Sequence, residues 1–442
     1  MHKLLPLEQS QPLYDGVGSR AVEARALMRK PDLMQDAGLA VAKLALALYA
    51  GHGSIWVACG PGNNGGDGRV AAQRLGALGL PVSLADAPPA DTSLVIDALF
   101  GLGLARPPAG AHAERIACIN ALGATVLAID LPSGLNCDTG MPMGTAVRAD
   151  HTLALLTLKP GLLTGAGRAH VGTLWFDALG EEPMQAPSAS LIGRDSLAPW
   201  RSRNPLAHKG TQGDVNIAAG SMPGAARLAA RAALAAGAGR VFAEVEDALR
   251  PELLHWDGDS MATVVAGCGG GAAIAARLPA LVQKAPRLVL DADVLNAIAA
   301  DAALAEILRH RARPTLLTPH PLEAARLLGS TVGEVQADRL MAAAQLAARF
   351  NCAVALKGSG TVIAEPGRTP AINGSGGPAL ATAGSGDVLA GWAGGLWAQA
   401  PALDAFEIAC AAVHWHGLAG ETQPQGPLMA HALIERMGEL NL

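Results

Sequence analysis

The chain has 442 residues, of which 50% are hydrophobic and 16% charged, and its net charge is −5 at pH 7. This length suits two domains with large apolar cores, and the composition excludes an intrinsically disordered protein. The sequence has no run of five like charges and no uninterrupted apolar stretch of membrane-spanning length, which argues against a nucleic-acid surface and a transmembrane helix.

The first half of the chain has the pattern of a parallel sheet. Between residues 54 and about 177, short apolar runs alternate with longer stretches rich in Ala and Leu, and a helical region at 20–49 precedes them. The runs are continuously apolar, which indicates strands buried on both faces and covered by helices. The predicted strands are 54–58, 81–85, 93–97, 124–130 and 152–157.

A glycine-rich stretch, CGPGNNGGDGRVAAQRLG (59–76), follows the first predicted strand. Gly60, Gly62 and Gly65 satisfy G-x-G-x-x-G, and Asp86 follows about twenty residues later, after the second predicted strand. A strand, a glycine loop, a helix, a second strand and an acid form the fingerprint of a dinucleotide-binding unit. An NAD-dependent dehydrogenase is therefore one hypothesis for this chain.

Three polar residues inside the stretch favour a different ligand. A helix N-terminus attracts anions, but Asp67 stands where the helix is expected to begin, and its carboxylate would repel a pyrophosphate. Asp67 alone could equally be a helix cap. Asn63 and Asn64 add side-chain carbonyl oxygens, which suit an alkali cation or a polar ligand.

Two further loops begin with an aspartate at the end of a predicted strand. They are DALFGLGLAR (97–106), which begins with Asp97, and DLPSGL (130–135), which begins with Asp130. A single aspartate in such a position is commonly a structural cap. Because the carboxyl ends of parallel strands share one edge of the sheet, three Asp-containing loops there predict a ligand site.

GPGNNGGDG, DALFGLGL and AIDLPSGLNCDTG, in this order and spacing, resemble the NAD(P)H-hydrate epimerase domain and span most of residues 50–140. The resemblance implies a Rossmann-like domain that epimerises hydrated NADH or NADPH with the help of K⁺. Asn64, Asp97 and Ser133 would hold the K⁺, and Asp130 would be the catalytic acid–base. The residues that would contact the hydrate are Asn63, Asn64, Gly65, Gly66, Asp67, Gly101, Leu102, Gly103, Leu104, Ala105, Arg106 and Asp130.

The strand–helix alternation breaks at 180–205, which is rich in Pro, Ser and charge. We therefore expect two domains, residues 1–185 and 186–442. The alternation then restarts, and its last two strands form a predicted hairpin around a Ser–Gly turn. The predicted strands of the second domain are 215–220, 240–245, 263–267, 287–292, 314–320, 352–358 and 361–366, and its predicted helices include 224–237 and 321–328.

Residues 372–395, INGSGGPALATAGSGDVLAGWAGG, run from a turn-rich loop into a helix. Gly384, Ser385 and Gly386 can direct successive backbone N–H groups into one anion hole, and Asp387 follows directly. A carboxylate there can take a proton from a hydroxyl while the N–H groups hold a transferring phosphoryl group. The four residues alone could equally be a cap in a glycine turn.

Two other segments strengthen the case for phosphoryl chemistry. Lys357–Thr361 is a strand turn whose backbone and lysine could meet a nucleotide phosphate, and His320 stands between two prolines at a strand end. With NPLAHKG, DADVLNAI and LLTPHPLEAARLLG, these segments resemble the NAD(P)H-hydrate dehydratase branch of the ribokinase-like superfamily over roughly residues 200–420.

This second resemblance implies that ADP, or alternatively ATP, phosphorylates the hydroxyl of the hydrate, which is then eliminated to regenerate NAD(P)H. Mg²⁺ would accompany the nucleotide, and Asp387 would be the base. Ala225, Gly269, His320 and Asp387 would face the hydrate. The nucleotide would contact Lys357, Gly358, Ser359, Gly360, Thr361 and Gly386.

Three positions depart from the pattern of this branch. Cys268 follows the strand at 263–267, where a proline is usual. The usual Thr-Gly-Asn-Pro is Ser375–Gly376–Gly377–Pro378 here, so an amide side chain is missing, and Ala383 replaces a usual glycine. These departures bear on rate and nucleotide preference rather than on the class of reaction.

The leading hypothesis is a bifunctional repair enzyme built from two tandem three-layer α/β domains, an N-terminal Rossmann-like domain and a C-terminal ribokinase-like one. Its partners would be small molecules, hydrated NADH or NADPH and ADP, with neither nucleic acid nor membrane, and we expect a homo-oligomer. A dehydrogenase, a ribokinase-like kinase of a small alcohol and a non-catalytic binding protein are the alternatives.

The cysteines and the first residues of the chain bear on its cellular compartment. The six cysteines include no C-x-x-C pair, so we expect reduced, buried thiols rather than a metal site. The first residues, MHKLLPLEQSQ, lack the continuous apolar core of a signal peptide. Both features favour a cytoplasmic protein.

Overall fold

A computed structural model describes residues 1–104, 106–202, 204–422 and 426–440. The chain divides into two compact units, of which the first comprises residues 1–5 and 12–189 and the second comprises residues 6–11 and 190–442. The short segment 6–11 therefore belongs to the second unit. Among the described residues, no helix is long and apolar enough to cross a membrane.

Up to residue 177, the described chain alternates between strands and helices, with helices on both sides of the sheet. Its elements are β1 (His2–Lys3), β2 (Gln11–Leu13), α1 (Gly16–Arg29), α2 (Leu33–Leu48), β3 (Ser54–Cys59), α3 (Asn63–Ala77), β4 (Val82–Ser83), β5 (Thr92–Ala98), α4 (Ala111–Ala121), β6 (Thr125–Ile129), β7 (His151–Leu155) and β8 (Thr173–Asp177).

The first sheet has the order β1-β8-β7-β6-β5-β3-β4 and is parallel except for the edge pair β1–β8. In β3, Ile55 and Val57 pack on α1–α3, whereas Trp56 and Ala58 pack on α4. Both faces of the strand are therefore buried, as its continuous apolarity predicts. The result is a Rossmann-like three-layer unit.

The predicted strands of this unit are confirmed, with β1 and β8 in addition. The start of α3 differs from the prediction. It begins at Asn63 with Gly62 as the N-cap, so Asp67 lies inside the helix and does not cap it. The glycines around it have low helix propensity, but the packing of this first turn against the sheet outweighs that cost.

The second sheet and its helices follow. Their elements are β9 (Ala189–Leu191), β10 (Asp214–Ala218), α5 (Pro223–Ala235), β11 (Arg240–Ala243), β12 (Leu254–His255), β13 (Thr263–Ala266), α6 (Ile274–Lys284), β14 (Arg287–Leu290), α7 (Asp293–Ala300), α8 (Ala302–Arg309), β15 (Thr315–Leu317), α9 (Pro321–Leu328), α10 (Val332–Ala337), α11 (Arg339–Phe350), β16 (Ala353–Leu356), β17 (Val362–Ala364), β18 (Ala371–Ile372), α12 (Ser385–Gln399), α13 (Ala405–Glu421) and α14 (Ala430–Glu439).

The second sheet has the order β12-β11-β10-β13-β14-β15-β16-β17-β18-β9-β2. It is parallel from β12 to β16 and antiparallel through β17 and β18, which confirms the predicted hairpin. Helices α5, α12 and α13 cover one face, and α6, α7 and α11 cover the other. This is again a three-layer α/β unit, as the sequence predicts.

The segment without clear periodicity contains regular structure. Within 180–205, Ala189–Leu191 forms β9, which pairs in parallel with β18, and Arg194–Trp200 forms a 3₁₀ helix. Leu197 of that helix is buried in the core of the second unit. These elements are too short to leave a periodic pattern in the sequence.

Candidate active sites in the two units

The amino terminus of α3 packs tightly against the ends of two strands. A Cβ on Gly60 would collide with the carbonyl oxygen of Leu99, which follows β5, and a Cβ on Gly65 would collide with the carbonyl oxygen of Gly60. Glycine is required for approaches this close. The acid of the fingerprint, Asp86, is exposed and pairs with Arg115. Packing, rather than a bound dinucleotide cofactor, accounts for these two glycines.

A cleft of about 500 Å³ lies in the first unit beside the amino terminus of α3. One wall comes from α1 and α2, through residues such as Arg20, Glu23 and Met34, which the sequence analysis missed. The sequence-predicted contacts that line the cleft are Asn63, Asn64, Asp67, Gly101, Leu102, Gly103, Leu104 and Asp130.

The remaining sequence-predicted contacts of this unit lie elsewhere. Gly65 and Gly66 are buried inside α3, and Gly66 packs against the side chain of Met34. Arg106 is exposed and is not among the described residues that line the cleft. Ala105 lies outside the described residues.

Asp130 follows β6 and faces the cleft with an unusual backbone. Its φ is 65°, in the left-handed region, a strained conformation of a kind that clusters at functional sites. Its carboxylate is ion-paired with the buried Lys159 and accepts a hydrogen bond from the backbone N–H of Leu155 at 3.2 Å. Lys159 also donates to the carbonyl oxygen of Leu155 at 3.0 Å. Asp130 is therefore held as an oriented carboxylate.

Lys159 is a site residue that the sequence analysis missed. It stands in TLALLTLKPG (152–161), where it is the single charged residue in an otherwise apolar stretch. A buried lysine needs a partner, because an unpaired charge in a core costs several kcal/mol. A lone lysine in a buried apolar stretch therefore indicates a carboxylate close to it in the fold.

Asp67 is a second carboxyl group on the cleft, half-buried on the first turns of α3. Burial, together with the neighbouring charges of Asp130 and Glu23, raises the pKa of Asp67 to about 8. Asn63 donates to Glu23 at 3.0 Å, which joins α3 to α1 at this wall. At neutral pH the cleft therefore presents a protonated carboxyl group beside an ion-paired carboxylate.

Beneath the cleft, Asp97 and Ser133 form a buried polar pair. The backbone N–H of Ser133 donates to Asp97 Oδ2 at 2.8 Å, and its hydroxyl donates to Oδ1 at 2.6 Å. Burial raises the pKa of Asp97 to about 6, although the hydrogen bonds from Ser133 and Leu99 oppose this. Among the described residues, no Lys or Arg side chain pairs with Asp97.

Asn64 has an amide that is only partly satisfied. A Cβ added to Gly101 would lie 3.3 Å from Asn64 Oδ1 and 3.6 Å from a carboxylate oxygen of Asp130, so both polar groups border the same point of the loop. The buried Nδ2 of Asn64 has no hydrogen-bond partner among the described residues. Amide, carboxylate and hydroxyl oxygens are the ligands that hard cations prefer, and the buried Asp97 has no ion-pair partner among the described residues. The residues present thus fit K⁺.

In the second unit, the candidate residues gather at the carboxyl ends of adjacent parallel strands. A glycine-rich loop (267–271) follows β13, Asp291 follows β14, His320 follows β15, and Lys357 follows β16. The amino terminus of α12 carries Asp387. This is the edge where open α/β sheets bind their ligands.

Lys357, Asp291 and the start of α12 are in direct contact. Lys357 Nζ donates to Asp291 Oδ1 at 2.6 Å, and Thr318 donates to the same oxygen at 2.8 Å. The Cβ position of Gly386 lies 3.2 Å from Lys357 Nζ and 3.7 Å from Asp291 Oδ2. Burial lowers the pKa of Lys357, but attraction to Asp291 and Glu323 outweighs it and the pKa is raised. Lys357 therefore remains charged beside the proposed anion hole.

Asp387 lies on the first turn of α12, close to the acidic side chains of Asp291 and Asp293. Its pKa is raised to about 6, first by burial and then by Asp291, while a hydrogen bond from Cys268 and the charge of Lys357 lower it. Oxygen atoms of Asp291 and Asp387 and the sulfur of Cys268 lie within 4.8 Å of one another. A carboxyl group with a pKa this close to neutrality is suited to accept a proton.

The turn between β16 and β17 rests on a buried arginine. Arg339, at the start of α11, is fully buried and donates to the carbonyl oxygens of Leu356 at 2.9 Å and Lys357 at 3.2 Å. Its guanidinium also lies directly beneath Gly358, whose φ is 140°. Arg339 is a second residue that the sequence analysis missed. Arg339 thus supports one side of the turn, which comprises Gly358, Ser359, Gly360 and Thr361.

The predicted hydrate contacts of the second unit lie on neighbouring loops. The Cβ position of Gly269 is 3.0 Å from the Cβ of Ala225. His320 is the N-cap of α9, where its ring accepts from the backbone N–H of Leu322 at 3.1 Å in a capping box with Glu323. Burial, and then the charge of Lys357, lower the pKa of His320. His320 is therefore a neutral ring close to Lys357.

Comparison with known proteins identifies the family of each half. A family model described as NAD(P)H-hydrate dehydratase matches residues 215–437, and one described as YjeF-related protein N-terminus matches residues 30–90 and 80–161. The bifunctional NAD(P)H-hydrate repair enzyme of Escherichia coli K12 is 35% identical, covering 88% of this chain and 84% of that protein. Its counterpart in Coxiella burnetii is 34% identical, covering 92% and 94%.

Solved structures resemble the second unit. A ribokinase-like superfamily protein from Enterococcus faecalis superposes with a TM-score of 0.50 at 21% identity, covering 58% of this chain and 97% of that one. An ADP/ATP-dependent NAD(P)H-hydrate dehydratase from Bacillus subtilis, co-crystallised with ATP and Mg²⁺, has a TM-score of 0.47 at 30% identity, covering 53% and 91%.

The fold is that of a two-unit α/β protein with a ribokinase-like second unit. The chain belongs to the family of bifunctional NAD(P)H-hydrate repair enzymes. The family predicted from the sequence motifs of both halves is therefore confirmed.

Proposed function

We propose that the chain repairs hydrated NADH and NADPH in two steps. The first domain (residues 1–185) interconverts the R and S epimers, and the second (residues 186–442) dehydrates the S epimer with ADP, giving NAD(P)H, AMP and phosphate. One observation carries the proposal: each unit has an acid–base cluster at the ligand edge of its sheet, Asp130 with Lys159 in the first and Asp387 with Lys357 in the second.

In the first unit, Asp130 and Asp67 would act as base and acid. The ring carbon that inverts carries both the hydroxyl group and the ring nitrogen. When Asp130 takes the hydroxyl proton, the carbon–nitrogen bond can open to an aldehyde, and reclosure on the other face inverts the carbon. Asp67, protonated at neutral pH, is the group that can give a proton to the leaving nitrogen.

K⁺ would sit on Asn64, Asp97 and Ser133. When bound, it supplies a positive charge beside the buried carboxylate of Asp97. The hydroxyl of Ser133 also contacts the backbone of Phe100, which is followed by the loop that lines the cleft. A cation that holds Asp97 and Ser133 in place would therefore also hold Phe100 and the loop that lines the substrate cleft.

In the second unit, Asp387 would take the proton of the hydrate's hydroxyl group. The oxygen then attacks the β-phosphorus of ADP, and the bond between that phosphorus and the oxygen of AMP breaks. Loss of phosphate from the ring and of a proton from the adjacent carbon restores the dihydropyridine. Lys357 and the backbone N–H groups at the start of α12 would hold the phosphoryl group, and Mg²⁺ would accompany the nucleotide.

The nucleotide would contact Lys357, Gly358, Ser359, Gly360, Thr361 and Gly386. The hydrate would contact Ala225, Gly269, His320 and Asp387. The contacts between Lys357 and Gly386, and between Ala225 and Gly269, support this division. We keep the homo-oligomer expected from the sequence as a prediction, to be checked by light scattering.

The proposal is tested with chemically hydrated NADH that contains both epimers, incubated with the purified chain. Recovery of NADH absorbance from both epimers, with ADP or ATP present and not without, is the expected result. Phosphorylation of an unrelated small alcohol with no NADH recovered would instead indicate a kinase. A stable complex with NAD⁺ and hydride transfer to a substrate would indicate a dehydrogenase.

A further inference from the structure

Cys268 occupies a position in the second unit for which the proposed function has no task. It follows β13, is 1% exposed, and its sulfur lies within 4.8 Å of carboxylate oxygens of both Asp291 and Asp387. Its thiol is a neutral donor beside the carboxylate of Asp387, whose pKa it lowers. A neutral side chain therefore stands between two acids at the centre of the candidate site.

The backbone around Cys268 is fixed on both sides. A Cβ on Gly267 would collide with the carbonyl oxygen of Asp291, and one on Gly269 would collide with that of Met222. The N–H of Met222 donates to the carbonyl of Gly269 at 3.0 Å, and the N–H of Gly271 donates to Asp293 Oδ2 at 2.8 Å. The loop therefore fixes the backbone position from which the side chain of Cys268 projects.

The two carboxylates have different partners. Asp291 accepts hydrogen bonds from Lys357 and Thr318 on the same oxygen. Asp387 has the thiol of Cys268 as a neighbouring neutral donor, with the sulfur within 4.8 Å of a carboxylate oxygen. Two neighbouring carboxylates with equivalent surroundings would share a proton. Here Asp291 is already bonded to Lys357 and Thr318, so Asp387 is the carboxylate left to accept a proton from the substrate.

The thiol is suited to donate and not to ionise. Burial, and then the charges of Asp387 and Asp291, raise the pKa of Cys268 well above its usual value. It therefore keeps its proton across the pH range in which Asp387 titrates. A neutral donor stabilises the ionised form of Asp387 without adding a charge.

We propose that Cys268 is a positioning residue for Asp387, whose carboxylate it orients and keeps ionised for the deprotonation of the hydrate's hydroxyl group. The inference rests on the proposed function, because it requires Asp387 to be the base. It adds a residue that acts on the substrate only through Asp387.

The test compares the pH dependence of kcat for dehydration of the S epimer in four proteins: wild type, Cys268→Ser, Cys268→Ala and Cys352→Ala. Cys352 is buried in the same unit, on the other face of the sheet, and serves as the matched control. In Cys268→Ala, loss of the donor should shift the acid limb of the profile of kcat against pH to higher pH. It should also lower kcat about tenfold, in line with the loss of one hydrogen bond to a charged group.

Cys268→Ser, which keeps a donor, should restore most of both effects. Cys352→Ala should match wild type. Thermal unfolding of each preparation reports whether the second unit is folded, and Cys268→Val, which removes the donor but fills the space, replaces Cys268→Ala if that variant does not fold.

Other titratable and charged groups face the same cluster in every variant, so only the difference between variants is interpreted. They are Asp291 after β14, Asp293 at the start of α7, Lys357 after β16, His320 and Glu323 at the start of α9, and His416 of α13.

Two outcomes overturn the inference. Folded Cys268→Ala or Cys268→Val with the wild-type limb and kcat would remove Cys268 from the mechanism, and equal loss in Cys268→Ser and Cys268→Ala would assign its effect to packing. Asp387→Asn in the same assay separates this failure from that of the proposed function. An active Asp387→Asn would overturn both, whereas an inactive one with a normal Cys268→Ala would overturn only the role of Cys268.

Discussion

Lys357 Nζ lies 2.6 Å from Asp291 Oδ1, although the two residues follow strands that are not neighbours, since β15 lies between β14 and β16. Asp291 is 2% exposed and Lys357 18%. A buried pair of this kind leaves a costly unpaired charge when either partner is removed. The pair therefore couples the stability of the second unit to its candidate nucleotide site.

The first prediction separates these two roles. Lys357→Met should lower the free energy of unfolding of the second unit by about 3–5 kcal/mol, because Asp291 is then buried without its partner. Adding Asp291→Asn should recover most of that stability, since no charge remains unpaired. Dehydration should stay lost in the double variant, because the ammonium group is still missing. Thermal or urea unfolding and the NADH recovery assay measure the two effects.

Arg368→Met is the control for Lys357→Met. Arg368 forms a more exposed ion pair with Asp404 and should contribute about 1 kcal/mol or less. If Lys357→Met unfolds like wild type, the buried pair does not contribute to stability as stated. If the double variant recovers dehydration, Lys357 has no role with the phosphoryl group.

The second prediction is a crossed pair of losses. Asp387→Asn should reduce dehydration at least about 100-fold and leave epimerisation unchanged, and Asp130→Asn should do the reverse, because each removes the proton acceptor of one unit. Epimerisation is followed by separating the R and S forms, and dehydration by NADH recovery from the S form. Equal loss in both assays for either variant would indicate a folding defect instead.

Much of this architecture could be predicted from the sequence. Continuous apolar runs indicate buried parallel strands, and an aspartate at the end of such a run, as at Asp97 and Asp130, marks the ligand edge of the sheet. The motif order across both halves was enough to predict the family. These features are local in sequence, so the chain itself displays them.

The residues that were missed depend on distant partners. Lys159 meets Asp130, which is 29 residues away, and Arg339 meets the carbonyl of Leu356, which is 17 residues away. Neither pairing leaves a periodic signal. The start of α3 was also missed, because its glycines have low helix propensity, and it is their packing against Gly60, Met34 and Ala98 that favours the helix.

The third prediction concerns the pH dependence of the first unit. The pKa of Asp67 is raised to about 8, so its carboxyl group is protonated below that pH and loses its proton above it. If Asp67 supplies a proton, epimerisation should fall as the pH rises through 8. Asp67→Asn should lower the rate about 100-fold and abolish this alkaline limb. An alkaline limb that persists in Asp67→Asn would assign it to another group.

Stability gives an independent check on the same residue. Between the ordinary pKa of an aspartate, near 4, and the folded-state pKa of about 8, the folded state binds a proton that the unfolded state has lost. Asp67 therefore stabilises the first unit less as the pH rises through this window. Asp67→Asn should flatten the dependence of Tm on pH there, and an unchanged slope would contradict the raised pKa.

The last prediction concerns K⁺. Replacing K⁺ by Na⁺ at constant ionic strength should slow epimerisation, because Asp97 is buried with no Lys or Arg partner among the described residues and needs a cation that fits the oxygens around it. Ser133→Ala should raise the K⁺ concentration needed for half the maximal rate, since it removes one of those oxygens. Ser93→Ala, at a half-buried strand position of the same unit, should leave that concentration unchanged. Epimerisation that is indifferent to K⁺ in the wild type would remove Asn64, Asp97 and Ser133 as its ligands and leave the hydrogen bonds between Asp97 and Ser133 as a purely structural support for the cleft.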